Sequence, residues 1–294
     1  MKPNSFVTKA FQFKNSMMYP VVFVLVLVIV APLVYSLYIS LHTYILQFGM
    51  GKWAGINNYI SAFKARDFRV SMKNTFILTF SVISIEFLIA LWLALILNRD
   101  DIKIKKIFTI ILMIPIMLPP IAVGLIWKML LHPELGIINY LVGLLGISPL
   151  GWYADPKLAM LTVIAVDIWH ETSLILIIVL AGLTSLDKNP YEAAKVDGAS
   201  SIQIFFFITL PMMAPIITVA ILIRMISAIK TYDLIYIITR GGPGSRTDTM
   251  SYYVFKMAFR KMSMGDAAAQ SFILLVIILF LSIFLIKTTE MRKA

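Results

Sequence analysis

Six apolar runs, each close to the roughly 20 residues that carry a helix across about 30 Å of hydrocarbon, constrain this chain more than anything else in it. They are Met18–Leu41, Thr75–Leu97, Ile107–Leu131, Leu158–Leu183, Pro211–Ile229 and Ala267–Ile286. A segment in lipid finds no water for its backbone amides and carbonyls, so each run must close its hydrogen bonds within itself, as a helix. The 294 residues are 60% hydrophobic and 14% charged, which excludes a soluble domain with a polar surface. The expectation is an all-α integral membrane protein with about six transmembrane helices. A single membrane domain would cover residues 18–290, with its core at about 72–286 and short ends at 1–17 and 291–294. The first run follows Lys2, Lys9 and Lys14, as a signal peptide would. It is too long for one and no small-residue cleavage site follows, so it reads as a retained helix. The net charge of +11 sits mostly in short links and at run ends, where anionic lipid is the fitting partner and nucleic acid is not. Cysteine is absent from the sequence, which rules out disulfides and thiolate metal sites.

Between the fourth and fifth runs lies a polar hinge, Asn189–Pro211. Asn189 is placed to cap a helix, Pro190 suits the first helical position, and Glu192 follows three residues after the cap. The helix runs to about Asp197 and meets Gly198, the residue type that turns left-handed without steric cost. Ser200 and Gln203 have capping-box spacing and open a second helix over Ile202–Leu210. Ala193 and Ala194 leave one side of the first helix nearly flat, open to the surface of another protein. On mechanics alone, the same stretch also reads as an ordinary loop.

Glu192-Ala193-Ala194, Gly198, Ile208 and Leu210-Pro211 fill seven defined positions over 20 residues. That spacing is the EAA signature, and in it the chain resembles the permease subunits of binding-protein-dependent ABC importers. The resemblance implies a type I importer permease fold and a coupling loop at 187–210. Glu192, Ala193, Ala194, Asp197 and Gly198 would dock there into a groove of a separate cytoplasmic ATPase. Tyr232–Pro243, Thr247–Tyr253, Met264–Ala269, Gly55–Tyr59 and Asn74-Thr75 extend the likeness to about residues 20–290, towards carbohydrate importers of the maltose and glycerol-3-phosphate or polyol type. It further implies a second, related permease chain, two ATPase copies, an extracytoplasmic solute-binding protein and a sugar, oligosaccharide or polyol as substrate. No cofactor and no enzymatic activity of its own are implied, and the location would be the cytoplasmic membrane with both termini inside.

Lysine and arginine totals do not orient the chain, because with the amino end inside 12 fall on each side. The rule concerns short loops, and Arg99, Lys103, Lys105 and Lys106 crowd one tight turn. That turn inside places the amino end and the hinge inside, as the resemblance requires.

Ionisable groups within spans are costly and so mark candidate sites. Glu86 lies mid-span in the second run, Asp167, His170 and Glu171 in the fourth, and Arg224 in the fifth. Ion pairing of Arg224 with Glu171 or Glu86 would brace a cavity wall. A polar substrate path would add the ring faces of Trp127, Trp169, Tyr232 and Tyr236. Lys128 is close enough to an outer end to snorkel. His42, His132 and His170 lack partners at metal-ligand spacing, and Asp100-Asp101 read as a solvated, lysine-balanced turn. Arg240–Arg246 is glycine-rich but lacks the Lys-Ser/Thr ending of a phosphate loop, so ATP should be handled elsewhere. Gly51–Lys73 reads as an amphipathic lid along the outer interface or a plain solvated loop. Gly136–Pro156 reads as a short outer connection with a re-entrant or surface helix, with Trp152 and Tyr153 at the interface. Two competing functions remain: an ion-coupled secondary transporter relaying protons through Glu86, Asp167 and Glu171, and the same importer architecture carrying an amino acid, peptide or phosphate.

Overall fold

A computed structural model describes residues 18–99 and 104–290, so the expected end segments 1–17 and 291–294, Lys103 and the Asp100-Asp101 pair lie outside the described residues. In chain order, α1 is Met18–Ser40, followed by an antiparallel hairpin of β1 (His42–Ile45) and β2 (Gly49–Trp53) and by α2 (Asn57–Lys64). Then come α3 (Arg66–Leu97), α4 (Lys105–Met117), α5 (Pro120–Leu130), α6 (Ile137–Leu144) and α7 (Ala159–Thr184). The chain closes with α8 (Asn189–Val196), α9 (Ser201–Ile229), α10 (Met250–Phe255) and α11 (Met264–Glu290).

Five of these helices are long and apolar enough to cross a membrane, and α4 with α5 is a bent apolar pair that makes a sixth where the two halves form one span. The expected third run is therefore not one straight helix. Its halves meet at 96°: Pro115, Pro119 and Pro120 each lack an amide donor, and the Pro119-Pro120 pair pushes Leu118 and Pro119 out of helical geometry, while Ile114 before Pro115 stays helical. Leu118 is accordingly extended, with ψ 137°. The second run is a longer helix than its apolar part: α3 starts at Arg66 rather than Thr75, since apolarity marks the lipid-buried part of a helix and not its polar first turns. The hinge's second helix and the fifth run are one helix, α9, which widens over Phe205–Thr209 and keeps Pro215 inside it. Neighbouring helices and local widening let a spanning helix carry a proline.

The chain divides into two compact units. Among the described residues, one comprises 18–63 and 254–273. In it α1 presents an apolar surface on all sides, the pattern of a helix surrounded by lipid or by another chain. Asn58 Nδ2 donates to the carbonyls of Ser40 and His42 at 2.8 and 2.9 Å, and Leu46 N donates to Met262 O at 2.8 Å. A Cβ at Gly265 would collide with His42 O, so glycine lets α11 pass the hairpin there. The expected lid Gly51–Lys73 is instead the end of the hairpin, α2 and the first turns of α3, with Trp53, Ile56 and Phe63 exposed and Tyr59 bonded to Ser40.

The other unit comprises, among the described residues, 64–99, 104–253 and 274–290. Its centre is α3 packed along α7, with α9 against both. Ala90, Ala94, Gly182 and Ala220 are the small residues that let these backbones approach. Ile175, Leu176, Val179 and Met213 fill the space between them. A Cβ at Gly182 would come within 2.8 Å of Ile216 and Met213. The connection between α6 and α7 is tied by buried Asn139, which donates to the carbonyls of Pro133 and Leu150 and accepts from Leu150 N and Trp152 Nε1. Trp152 therefore spends its indole N–H inside the protein rather than at a lipid headgroup.

Candidate functional site

The site starts from charge inside the bundle. Glu86 on α3, Asp167 on α7 and Arg224 on α9 occupy positions that converge, and all three are buried. Arg224 Nε donates to Glu86 Oε2 at 2.6 Å and its Nη2 to Glu86 Oε1 at 2.9 Å; Nη2 also donates to Asp167 Oδ2. The planar guanidinium suits such a two-pronged bond to a carboxylate, which a lysine could not reproduce. Of the two partners weighed for Arg224, the structure selects Glu86 and adds Asp167. Glu171 instead lies 3.2 Å from His170 Nδ1, and His170 Nε2 donates to the carbonyl of Leu118 at 3.0 Å. Ser173, three residues on, donates to the carbonyl of Leu112. Two α7 side chains thus serve carbonyls at the break between α4 and α5.

Asp167, His170 and Glu171 form one wall of a cavity of about 400 Å3. Ser227, Lys230, Thr231, Tyr232 and Asp233 line it from the end of α9 and the segment after it. This volume and mix of apolar walls with a few polar groups fit a small-solute site. Of the residues singled out as a substrate path, the cavity gathers Asp167, Glu171 and Tyr232. Glu86 and Arg224 stand behind Asp167. Tyr236 stacks on Tyr232, with ring centroids 5.4 Å apart and 19° between planes. Trp127 and Trp169 pack edge to face at 5.4 Å, and Trp169 lines a separate apolar groove between α3, α4 and α7. Lys128 does not snorkel: its ammonium donates to Ile237 O at 2.7 Å and lies 5.8 Å from the centre of the Tyr153 ring. Lys230, Thr231 and Asp233 follow the apolar run and so carry no span-internal charge signal, and Ser227, inside the run, is an uncharged small residue that does not stand out there.

The loop after Tyr236 is held from several sides. Gly241, at φ 82°, has no room for a side chain, since a Cβ there would meet Asp248 and the Tyr252 ring. Asn74 donates to Ser245 O and Asp248 O at 2.9 Å each, and Met250 N donates to Thr75 Oγ1 at 2.8 Å. Asn74-Thr75 and the 245–250 stretch, far apart in sequence, therefore form one knot.

At the hinge, α8 ends at Gly198 with φ 77°, and Ser200 and Gln203 make both bonds of a capping box at 3.3 and 2.8 Å. The expected cap is displaced. Asn189 is the first helical residue rather than the cap, and Asp187 Oδ1 accepts its amide at 3.1 Å. A carboxylate there satisfies an orphan amide at the helix start and complements the dipole. Glu192, Ala193, Asp197 and Gly198 are exposed, and Ala194 is half-buried. Val196 is 87% exposed, with Ile202, Phe206 and Phe207 exposed on the helix that follows. Val196 had no sequence signal, because a single valine in a polar helix reads as inward-facing.

The family model described as "Binding-protein-dependent transport system inner membrane component" matches residues 86–289. The chain is 32% identical to the trehalose/maltose transport system permease protein MalF of Thermococcus litoralis, over 94% of this chain and 93% of that one. It is 33% identical to the sulfoquinovosyl glycerol transport system permease protein SmoG of Agrobacterium fabrum, over 85% and 82% respectively. A chain in the crystal structure of a bacterial ABC transporter that imports the acidic polysaccharide alginate superimposes with a TM-score of 0.85 and 22% identity, covering 96% of both. That likeness shows the fold, the type I importer permease fold expected from the sequence. The match spans the ion network, the cavity and the hinge, and the chain belongs to the family of inner membrane components of binding-protein-dependent transport systems.

Proposed function

We propose that this chain is one permease half of an ATP-driven importer for a sugar, oligosaccharide or polyol, and that it works as a single membrane domain over residues 18–290. The observation that carries the coupling mechanism is the exposed elbow, α8–Gly198–α9, with its bare alanine face and Val196 standing out from it. A second, related permease chain completes the pathway. Two copies of a cytoplasmic ATPase hold the elbows of the two permeases, with Glu192, Ala193, Ala194, Asp197 and Gly198 at the contact, and ATP hydrolysis takes place on those subunits. A soluble binding protein delivers cargo to the outer face, and both termini of this chain lie in the cytoplasm.

The carbohydrate assignment is supported by the permeases named for trehalose/maltose and sulfoquinovosyl glycerol, and by the cavity's chemistry. Carboxylates of Asp167, Glu171 and Asp233 and hydroxyls of Ser227 and Thr231 accept or donate to sugar hydroxyls, while the Tyr232 ring offers an apolar face. Glu86 and Arg224 hold the wall behind them, and Tyr236, Trp127 and Trp169 support it at longer range. Closure of the ATPases draws the elbows together, turns the cavity from inward-open to outward-open, and hydrolysis resets it.

Gly198→Val tests the elbow. A β-branched residue is strained at φ 77°, so cargo-stimulated ATPase in the assembled importer should fall at least about tenfold, the effect of roughly 1.4 kcal/mol on coupling. Unchanged stimulation would overturn the coupling role.

A further inference from the structure

We infer that the cavity beside Asp167 is an electrostatic filter against anionic cargo, admitting neutral, hydroxyl-rich solutes and rejecting uronates and phosphorylated sugars. This rests on the reading of that cavity as part of the solute path. The argument is a count of fixed charge by position. Asp167, Glu171 and Asp233 line the space; Lys230 is the lysine among the lining residues, and it is exposed. Arg224 offsets one of these charges: its guanidinium bonds Asp167 at the wall and Glu86 behind it, so that trio carries one net negative charge, and Glu171 and Asp233 against Lys230 leave the lining net negative. His170 is shared between Glu171 and the Leu118 carbonyl.

The apolar walls of Pro120, Ile223, Ile226 and Leu234 keep the local dielectric low and concentrate the field of these carboxylates. An anion entering meets like charge; a neutral sugar meets acceptors for its hydroxyls. The fold does not decide this, since the same fold serves a transporter of an acidic polysaccharide. The lining side chains do.

The chain has no cysteine, so a single Ser227→Cys places one thiol on the cavity wall. In the assembled importer, its rate of modification on this chain would be measured with a cationic trimethylammonium-ethyl and an anionic sulfonatoethyl methanethiosulfonate. The ratio of rates is normalised to Ser148→Cys, exposed on the α6–α7 connection. The expected ratio favours the cation by about tenfold or more, the lower range for field focusing in a charged cleft, and collapses towards the reference in Glu171→Gln/Asp233→Asn. A ratio equal to the reference, or one favouring the anion, would overturn the filter while leaving the cavity as a solute path. Failure of both reagents at Ser227→Cys while Ser148→Cys reacts would overturn the path itself.

Discussion

Arg224 has no exposed surface, sits on one helix, and joins carboxylates from two others. Taking these charges out of solvent is costly, and only mutual pairing repays it. Arg224→Met leaves Glu86 and Asp167 facing each other, so it should lower the stability of the assembled chain by about 3–5 kcal/mol. Replacing all three with Glu86→Gln, Asp167→Asn and Arg224→Met should recover most of that loss. Thermal unfolding of the purified importer reads both; a single variant as stable as the wild type would contradict the network. The sequence marks these residues because ionisable groups inside apolar runs stand out. Helical spacing shows which face a residue occupies, but the pairing across helices depends on rotation and depth. That is why Glu86 or Glu171 both remained open as partners, and why Asp167 was not foreseen in that role.

The bent pair of α4 and α5 shows what an element needs when it cannot satisfy itself. Where the helix bends at its prolines, carbonyls beside the bend lose their helical donors and lipid cannot hydrate them, so the neighbouring helix must supply donors. Ser173 and His170, three residues apart on one face of α7, do so at Leu112 and Leu118. Ser173→Ala removes one donor and should cost about 1–3 kcal/mol, the range for a buried acceptor left unpaired. Ser173→Thr, which keeps the hydroxyl, should cost less; equal melting temperatures for Ser173→Ala and wild type would refute the patch. Prolines and their positions are visible in the sequence, yet a 25-residue apolar run still looked like one helix. The break becomes permissible only once another helix offers hydroxyl and imidazole at the right height. Asn139 is a comparable case. Nothing distinguishes it from other loop asparagines until Pro133, Leu150 and Trp152 gather around it.

At the scale of the molecule, apolar runs and a seven-position signature made the helical membrane fold and the hinge legible, since both depend on local residue order. The long-range knots did not share that legibility: the tie of Asn74-Thr75 to 245–250 and the lining of the cavity by Lys230 and Asp233 depend on how helices stack. The central claim is that a separate cytoplasmic motor drives this chain through its exposed elbow. Val196→Cys, in a chain with no other cysteine, tests it most directly. In inside-out vesicles the thiol should react with a membrane-impermeant maleimide when the ATPase has been stripped off, and be protected when it is restored. Labelling of Val196→Cys from the outside of intact cells, or equal labelling with and without the ATPase, would contradict the account.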